Sequence, residues 1–339
     1  MKLTKENLEH YFQSIRLQEI LVIGDVMLDE YIEGEVSRIS PEAPVPVVNI
    51  KNRKKCLGGA ANVALNLRAM GAVPLLCGLI GEDAKGYDFL RHMESYRLPQ
   101  DGIVRSGTRP TTTKIRIIGN KMQLLRVDEE TDAALSETDA AKLSGQIRHL
   151  LQTRPVKAIV FEDYDKGVIT PELIAQVSAW AEEYDIPVCV DPKKRNFNAY
   201  RNVTLFKPNL SELSAGLQVP KSELQDESAL VARIRQFMEE SGHRMVMTTL
   251  SENGLILCYY QKNGEFASLW VPAIVRNICD VSGAGDTVIS IATLGLITGL
   301  SAGQMAEMAN IAGGLVCETV GVVPIDKALL EKECMRILF

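Results

Sequence analysis

The chain of 339 residues contains 46% hydrophobic and 24% charged residues, and this composition excludes a disordered, a collagen-like or a disulfide-stapled chain. Its 43 acidic residues exceed its 37 basic ones, and the net charge of -6 argues against a general electrostatic attraction to nucleic acid or to an anionic membrane. Any anionic ligand must therefore be held by a local group of side chains or backbone N–H groups.

The beginning of the chain, MKLTKENLEHYFQSIRLQEI, is polar and amphipathic and lacks the apolar run and the cleavage site of a signal peptide. The longest apolar run, VISIATLGLITGL at residues 288–300, is too short to span a bilayer. We therefore expect a cytoplasmic protein with no membrane and no nucleic-acid partner. The seven cysteines are scattered and form no C-x-x-C pattern, so we expect free thiols, most of them buried.

Short apolar runs alternate with amphipathic stretches along most of the chain, as strands and helices do in a doubly wound α/β domain. The predicted strands lie at residues 19–25, 73–81, 156–163, 186–191, 203–209, 244–249 and 254–260. The predicted helices lie at residues 61–71, 84–96, 137–152, 171–184 and 222–240. The strands are too uniformly apolar to have one wet face, which favours a mostly parallel sheet flanked by helices. Ligand sites in such sheets lie at the carboxyl ends of the strands.

Two segments, at about residues 31–58 and 111–128, break this rhythm. They alternate polar and apolar residues, with turns at Ser40-Pro41 and Gly119-Asn120 and no helix between their strands. We predict that they form a small antiparallel β lid inserted into a single domain of residues 1–339. A half-polar extra sheet suits a lid over a ligand or a dimer surface, and surface decoration is the alternative.

The first candidate site residues follow the first predicted strand. Asp25 and Asp29 lie in GDVMLDEY, where short acids can bind the hydroxyl groups of a sugar. The next motif, GGAAN, enters a helix with Gly58 and Gly59, which permit close backbone approach, and with Asn62, whose amide can both donate to and accept from a hydroxyl-rich ligand. Tight helix packing would explain the same two glycines.

The motif KPNLSEL ends another predicted strand. It places Asn209 and Glu212 three residues apart, where an amide and a carboxylate could organise Mg²⁺ through water. A capping interaction at the start of a helix is the alternative and, for these two residues alone, the stronger interpretation.

The motif SGAGD precedes a long apolar helical pattern. Gly283, Ala284 and Gly285 let backbone N–H groups converge at a helix N-terminus, where unpaired donors and the positive end of the dipole suit an anion. A turn that merely starts a helix, with Asp286 as a first-turn acid, is the alternative. The motif lacks the Gly-Lys-Ser/Thr of a P-loop and the spacing of a dinucleotide fingerprint, which disfavours a Rossmann dehydrogenase.

In their order and spacing, the motifs GGAAN, KPNLSEL and SGAGD resemble those of the ribokinase-like (PfkB) carbohydrate kinases. The resemblance extends over roughly residues 15–325. The resemblance implies transfer of the γ-phosphoryl group of ATP to a sugar hydroxyl, with Mg²⁺ as cofactor. It implies that Asp286 takes the proton of the attacking hydroxyl, while backbone N–H groups of Gly283, Ala284 and Gly285 hold the charge on the transferred group.

The resemblance assigns further residues to the two ligands. The expected nucleotide and Mg²⁺ residues are Lys193, Asn209, Glu212, Ser251, Gly254, Gly283 and Gly285. The expected sugar-phosphate residues are Asp25, Asp29, Gly59, Asn62, Asp163 and Lys166. In the lid, Lys114 and Arg116 share a face by strand alternation, with Arg126 on the returning strand, so a cationic cluster could meet a substrate phosphate. Solvated lid charges are the alternative. The DPK motif adds Asp191 beside Lys193.

Longer segments resemble one branch of this family, the kinases that phosphorylate D-glycero-β-D-manno-heptose 7-phosphate at O1 for ADP-heptose and lipopolysaccharide synthesis. The segments are GDVMLDEYIEGEVSRISPEAPVPVV, TKIRIIGNKMQLLRVD, EDYDKG, DPKKRNF and DVSGAGDTVI. Many of these kinases carry an adenylyltransferase domain, for which this chain has no room, so we expect a stand-alone kinase. Family analogy also suggests a homodimer formed through the lid sheets.

Two alternatives stay open: a PfkB kinase for another sugar, such as a fructose phosphate or ribose, and a non-catalytic sugar-binding protein on the same fold. The sequence also departs from the family twice. Ser282 stands where Thr is common, which keeps a hydroxyl group. The stretch GVVP at residues 321–324 replaces a Gly-Thr pair in a region that lies near the adenine in the family.

Overall fold

The computed structural model describes residues 5–338, which form ten α-helices and thirteen β-strands. The helices are α1 (Lys5–Ser14), α2 (Ala60–Met70), α3 (Ala84–Ser95), α4 (Glu137–Thr153), α5 (Pro171–Glu183), α6 (Leu210–Leu217), α7 (Glu227–Ser241), α8 (Ala284–Ile297), α9 (Ala302–Val316) and α10 (Lys327–Leu338). The strands are β1 (Glu19–Gly24), β2 (Val26–Ile39), β3 (Pro46–Gly59), β4 (Val73–Gly81), β5 (Ile103–Ser106), β6 (Thr113–Gly119), β7 (Met122–Glu129), β8 (Val156–Glu162), β9 (Val188–Asp191), β10 (Leu205–Phe206), β11 (Met245–Thr249), β12 (Leu255–Tyr260) and β13 (Phe266–Val271).

Nine strands form the main sheet in the order β13-β12-β11-β10-β9-β8-β1-β4-β5. The strands from β11 through β5 in this order are parallel, while β12 and β13 add an antiparallel edge. Because β8 and β9 are parallel neighbours, their last residues, Glu162 and Asp191, meet at the same edge of the sheet. This edge is where the candidate site lies.

Helices cover both faces of the main sheet, and each face has its own apolar core. One core packs α1, α2, α3, α8, α9 and α10 against the sheet and contains Phe89 and Ile291. The other packs α4, α5, α6 and α7 against the opposite face and contains Phe161, Phe206 and Phe237. The predicted doubly wound α/β fold is therefore confirmed.

Some boundaries differ from the sequence-based expectations. The strand predicted at residues 203–209 shrinks to the two residues of β10, since Pro208 has no N–H to donate and Asn209 already caps α6. The helix predicted at 222–240 begins later, at α7, because Asp226 accepts a hydrogen bond from the Ala229 N–H and caps it there. Strands β5 and β13 were not predicted from the sequence.

The lid is a four-stranded sheet with the order β3-β2-β6-β7. Two antiparallel hairpins, β2-β3 and β6-β7, turn close to the predicted positions. The hairpins join through β2 and β6, which pair in parallel, from Leu28 opposite Thr113 to Gly34 opposite Gly119. The lid is thus a mixed sheet and not the wholly antiparallel sheet expected. The reason is that β2 and β6 both leave the main sheet in the same direction, one after β1 and the other after β5.

Within residues 5–338, no helix combines the length and the apolar character that crossing a bilayer requires. The seven cysteines are free thiols, as expected, and six of them are buried, with Cys279 exposed.

Candidate active site

The glycine-rich turn before α8 requires its glycine. Gly283 has φ of +80°, in the left-handed region, and a Cβ atom added there would lie 2.7 Å from Nδ2 of Asn62. The turn therefore brings the start of α8 against α2. The N–H of Ala284 donates to the Val281 carbonyl at 3.3 Å, so this one donor of the predicted anion site is used within the turn.

Asp286 lies in the first turn of α8 and is 5% exposed. Its Oδ2 accepts a 2.6 Å hydrogen bond from Asn62 Nδ2, and its Oδ1 accepts a 2.9 Å hydrogen bond from the Tyr164 hydroxyl. Burial raises the pKa of the Asp286 carboxyl, the Asn62 bond opposes that rise, and the neighbouring Asp191 carboxylate adds to it. Asp286 is thus a buried, oriented acid whose proton affinity exceeds that of an ordinary aspartate, as a general base requires.

Two further carboxylates lie beside Asp286. Glu162 ends β8 and Asp191 ends β9, and one carboxylate oxygen of each lies within 4.8 Å of the other and of Asp286. Lys207 follows β10, and its Nζ lies 2.7 Å from Oδ2 of Asp191, with both side chains buried. Burial, together with the charges of Asp191 and Asp286, raises the pKa of Glu162 well above its ordinary value. We name Glu162, Asp191 and Asp286 the acid cluster.

Asn209 and Glu212 form the capping box of α6. The Glu212 N–H donates to Asn209 Oδ1 at 2.9 Å, and the Asn209 N–H donates to Glu212 Oε2 at 2.8 Å. The other oxygen of Glu212 pairs with Lys193, whose Nζ also lies 5.4 Å from the centre of the Tyr164 ring. The alternative interpretation of Asn209 and Glu212, a capping interaction at the start of a helix, is therefore confirmed. Since Tyr164 binds Asp286, the Asn-x-x-Glu motif is linked to the acid through Lys193 and Tyr164.

Asp25 holds the loop that carries Tyr164. Its Oδ2 accepts from the N–H groups of Tyr164 at 2.8 Å and Lys166 at 3.1 Å, and its Oδ1 accepts from the Val168 N–H at 3.1 Å. Gly59 has φ of +60°, and a Cβ there would lie 2.3 Å from the Asp25 carbonyl oxygen. Asp25 and Gly59, both predicted to contact the sugar, thus fix the backbone beside Asp286. The Asp25 carboxylate is already hydrogen-bonded to N–H groups of the protein.

Asp29 pairs with a second predicted site residue, Arg116 of the lid. Arg116 Nη1 lies 2.5 Å from Asp29 Oδ1, and the guanidinium stands 5.2 Å from the ring centre of Tyr31. Asp29 is buried and the side chain of Arg116 is 18% exposed. An anionic ligand that binds Arg116 must therefore displace Asp29 from the guanidinium or bind the guanidinium together with Asp29.

Glu130 joins the two predicted lysines. Its carboxylate accepts from Lys166 Nζ at 2.6 Å and from Lys114 Nζ at 3.3 Å, and Lys114 also lies 3.6 Å from Asp128. Because Glu130 follows β7, the lid and the loop after β8 meet at this carboxylate. A pair of half-buried ammonium groups that share one carboxylate is a place where a phosphate could bind instead.

Two other predicted residues lie apart from this group. Arg126 is exposed on β7 and pairs with Asp128 at 2.9 Å, although it stands opposite Arg116 in the strand register. Asp163 is buried, accepts from Asn196 Nδ2 at 2.9 Å, and has its pKa raised to about 6 by burial. The Tyr200 hydroxyl also donates to Asp163, at 3.4 Å. Hydrogen bonds from two buried side chains therefore hold the Asp163 carboxylate on the side of the core.

The loop between β11 and β12 contains Ser251 and Gly254. Ser251 is exposed with φ of +53°, and Gly254 has φ of +87°. A Cβ at Gly254 would lie 2.1 Å from the Val271 carbonyl oxygen, so the glycine is required where this loop meets the end of β13. Its predicted contact with nucleotide phosphates remains a prediction.

Sequence reasoning missed three residues of this site: Tyr164, Glu162 and Lys207. Glu162 and Lys207 are charged residues at the ends of otherwise apolar strands, and this signal could have identified them. Tyr164 carried no comparable signal, because only the fold brings its hydroxyl to Asp286.

Comparison with known proteins identifies the family. Residues 17–328 match the model of the pfkB family carbohydrate kinases. The chain belongs to the pfkB family of carbohydrate kinases. The family resemblance and the assignment as a sugar-phosphorylating enzyme are thereby confirmed, and the pfkB match covers every candidate site residue named above.

Individual relatives agree with the pfkB assignment. The bifunctional protein HldE of Methylobacillus flagellatus is 42% identical over 314 residues, covering 93% of this chain, and the chain spans 62% of that protein's length. The structure of phosphofructokinase-2 from Escherichia coli in complex with potassium has a TM-score of 0.76 at 17% identity and covers 95% of this chain and 99% of its own. Arabidopsis thaliana ribokinase with ribose and ATP has a TM-score of 0.69 at 17% identity, covering 94% and 99%. These structures establish the ribokinase-like fold.

Proposed function

We propose that this pfkB kinase transfers the γ-phosphoryl group of ATP to O1 of D-glycero-β-D-manno-heptose 7-phosphate and so forms the 1,7-bisphosphate. The observation that carries the proposal is the buried Asp286 carboxylate in the first turn of α8, held by Asn62 and Tyr164 directly after a glycine-rich turn. A proton acceptor beside a helix N-terminus serves both halves of phosphoryl transfer, the attacking hydroxyl and the charged group in flight.

In the proposed reaction Asp286 accepts the proton of the O1 hydroxyl. Its raised pKa favours that acceptance, because burial and Asp191 both disfavour the ionised carboxylate. Asn62 orients the carboxylate, since its amide donates to Oδ2. The N-terminal N–H groups of α8 around Gly283 and Gly285 stabilise the charge of the transferred phosphoryl group.

ATP and Mg²⁺ belong to the proposal. Mg²⁺ bound with ATP would supply charge neutralisation on the phosphates. Asn209 and Glu212 would hold it through water, because their oxygens already serve the capping box and the pair with Lys193. Ser251, Gly254 and Lys193 are proposed to contact the nucleotide phosphates.

The lid is proposed to bind the phosphate on C7. Lys114 and Lys166, which share Glu130, and Arg116, which pairs with Asp29, are the cations that the substrate phosphate would engage. Asn62 and Asp29 are the proposed contacts to sugar hydroxyls. Asp25 and Gly59 would act by holding the loop beside them.

The identity of the sugar rests on the heptose-kinase-like segments of the sequence. The relative named HldE matches along 93% of the chain, which supports the same proposal. The product would enter ADP-heptose synthesis for lipopolysaccharide in the cytoplasm. A pfkB kinase for another sugar, such as a fructose phosphate or ribose, is the alternative, while the membership in the carbohydrate kinase family argues against a non-catalytic sugar-binding protein.

A screen of ADP release tests the proposal. The enzyme would be given ATP and Mg²⁺ with heptose 7-phosphate, sedoheptulose 7-phosphate, fructose 6-phosphate or ribose. We expect the highest kcat/KM with heptose 7-phosphate. A higher value with another acceptor, or no ADP release with heptose 7-phosphate, would refute the heptose assignment and leave the assignment as a kinase standing.

A further inference from the structure

The loop after β8 brings the Tyr164 hydroxyl to the proposed base. Tyr164 donates a 2.9 Å hydrogen bond to Oδ1 of Asp286, while Asn62 of α2 donates to Oδ2 at 2.6 Å. The two donors therefore come from different elements and bind different oxygens of one buried carboxylate. Asn62 already has a part in the proposed transfer, whereas the part of Tyr164 follows from its surroundings.

Two contacts fix the position of this hydroxyl. The Asp25 carboxylate accepts from the Tyr164 N–H at 2.8 Å, and the Lys193 ammonium lies 5.4 Å from the centre of the Tyr164 ring, within the range of a cation–π contact. Burial and the charge of Asp286 raise the pKa of the Tyr164 hydroxyl well above its ordinary value, so the hydroxyl keeps its proton and donates it. Tyr164 is thus a preorganised donor aimed at Asp286.

The surroundings of Asp286 oppose its ionisation. The titratable and charged groups that face it from the neighbouring elements are Glu162 (β8), Tyr164 (the loop after β8), Asp191 (β9), Lys193 (after β9) and Lys207 (after β10). Burial raises the pKa of the Asp286 carboxyl most, and Asp191 raises it further, whereas the two hydrogen-bond donors and Lys207 lower it. The ionised form of the base therefore depends on its donors.

We propose that Tyr164 is a positioning residue of the phosphoryl transfer, whose hydroxyl keeps Asp286 in the ionised form that accepts the proton of the sugar hydroxyl. This inference rests on the proposed kinase function. A hydroxyl that donates to a carboxylate stabilises the charged form over the protonated one, and it adds no net charge to the site. The bond uses one lone pair of Oδ1 and leaves others on the carboxylate for the sugar hydroxyl.

Tyr164→Phe gives the first test, because it removes the hydroxyl and keeps the ring beside Lys193. The acid limb of the pH profile of kcat/KM, measured by ADP release, should move to higher pH by about one unit, as for the loss of one hydrogen bond to a charged group. On that limb kcat/KM should be about tenfold lower than in the parent, and on the alkaline plateau the two should be equal. Tyr184→Phe, the same change at a tyrosine that is 39% exposed, should leave the profile unchanged.

Urea unfolding gives a second test that requires no turnover. Because the pKa of Asp286 is raised in the folded protein, its contribution to stability is complete below about pH 4 and is lost as the pH rises through the folded pKa. Tyr164→Phe should extend this loss to higher pH, so its unfolding free energy should fall further between pH 5 and pH 8 than that of the parent. In an Asp286→Asn background, Tyr164→Phe should have the same effect at every pH.

Two results would overturn the proposal. One is a loss of kcat/KM in Tyr164→Phe that is equal at every pH, which a merely structural role would give. The other is a difference in unfolding free energy between the parent and Tyr164→Phe that does not change with pH. Failure of the screen with heptose 7-phosphate would refute the heptose assignment instead, and it would leave the unfolding result for Tyr164 and Asp286 unaffected.

Discussion

Asn62 on α2 donates a 2.6 Å hydrogen bond to Asp286 on α8, between two residues that are 224 positions apart in the sequence. Both side chains are buried, and the Asn62 carbonyl oxygen accepts from Asn66 Nδ2 at 2.9 Å. Asn66 Oδ1 in turn accepts from the Thr287 hydroxyl, next to Asp286. The two helices are therefore joined by a chain of buried polar contacts that fixes the direction of the proposed base.

Removing the proton acceptor should stop turnover without preventing folding. Asp286→Asn keeps the size of the side chain and relieves charge repulsion in the acid cluster, while it cannot take a proton. We expect kcat to fall by about 10²- to 10⁴-fold, the range for loss of a general base, with sugar binding retained. ADP release gives kcat, and calorimetry gives sugar binding. Asp101→Asn, an equal charge change at an exposed site, should leave both unchanged. Full activity of Asp286→Asn would remove the assignment of the base.

The turn before α8 gives a test with a close control. Gly283→Ala would strain a residue at φ of +80° and push its methyl group against Asn62, whose amide holds Asp286. Gly299→Ala introduces the same strain at φ of +79°, but no heavy atom lies within 4 Å of its new methyl group. Backbone strain should lower the unfolding free energy of both variants by about 1 kcal/mol, and Gly283→Ala should lose more because its methyl group would lie 2.7 Å from Asn62 Nδ2. Only Gly283→Ala should lose activity, measured as kcat/KM for the sugar. Equal activity in the two variants would contradict the role of the Asn62 contact.

Sequence patterns predicted the doubly wound sheet because its strands are apolar throughout and its helices are amphipathic. They also predicted the motif carrying Asp286, since a glycine-rich turn before a helix is a local feature. They could not predict that the Asp25 carboxylate accepts hydrogen bonds from three backbone N–H groups, or that the Tyr164 hydroxyl donates to Asp286. These contacts join residues more than 100 positions apart and depend on the strand order. The pairing of Arg116 with Asp29, 87 positions apart, likewise depends on the strand order, here the pairing of β2 with β6 in the lid.

His243 makes the stability of the fold dependent on pH. Its ring is buried, stacks on Phe206 at 4.6 Å, and has its pKa lowered to about 3 by burial and by Arg201. The unfolded chain takes up a proton below about pH 6.5, which the folded protein does not. The contribution of His243 is therefore complete above pH 6.5 and decreases as the pH falls towards 3, by about 2 kcal/mol at pH 5.

Urea unfolding at several pH values measures this effect. His243→Leu removes the titrating group, so the difference in unfolding free energy between parent and variant should change by about 2 kcal/mol from pH 7.5 to pH 5. Other titrating groups contribute to both proteins and cancel in the difference. A difference that is constant with pH would contradict the lowered pKa, because it would mean that His243 takes up its proton at the same pH in the folded protein as in the unfolded chain.

The lysines that share Glu130 test the proposed phosphate site. Lys166→Met removes one cation that a C7 phosphate would engage, and we expect KM for heptose 7-phosphate to rise about tenfold, as for the loss of one charge-assisted contact. KM for ATP should stay within about twofold, since a lid contact serves only one substrate. Lys51→Met, an exposed lid lysine paired with Glu35, should change neither value. A parallel rise of both KM values would place Lys166 outside the phosphate site.

The outer strand of the lid tests the proposed homodimer. Every residue of β7 is exposed, including Leu125 at 54% and Met122 at 69%, and β7 is an edge strand of its sheet. An apolar edge strand of this kind is stable in solution when another chain covers it. We expect a dimer by light scattering after gel filtration. Leu125→Glu should yield monomers, because a carboxylate at the interface would be buried without a partner. Leu329→Glu, the same change on the exposed side of α10, should remain dimeric, and a parent protein that elutes as a monomer would refute the lid interface.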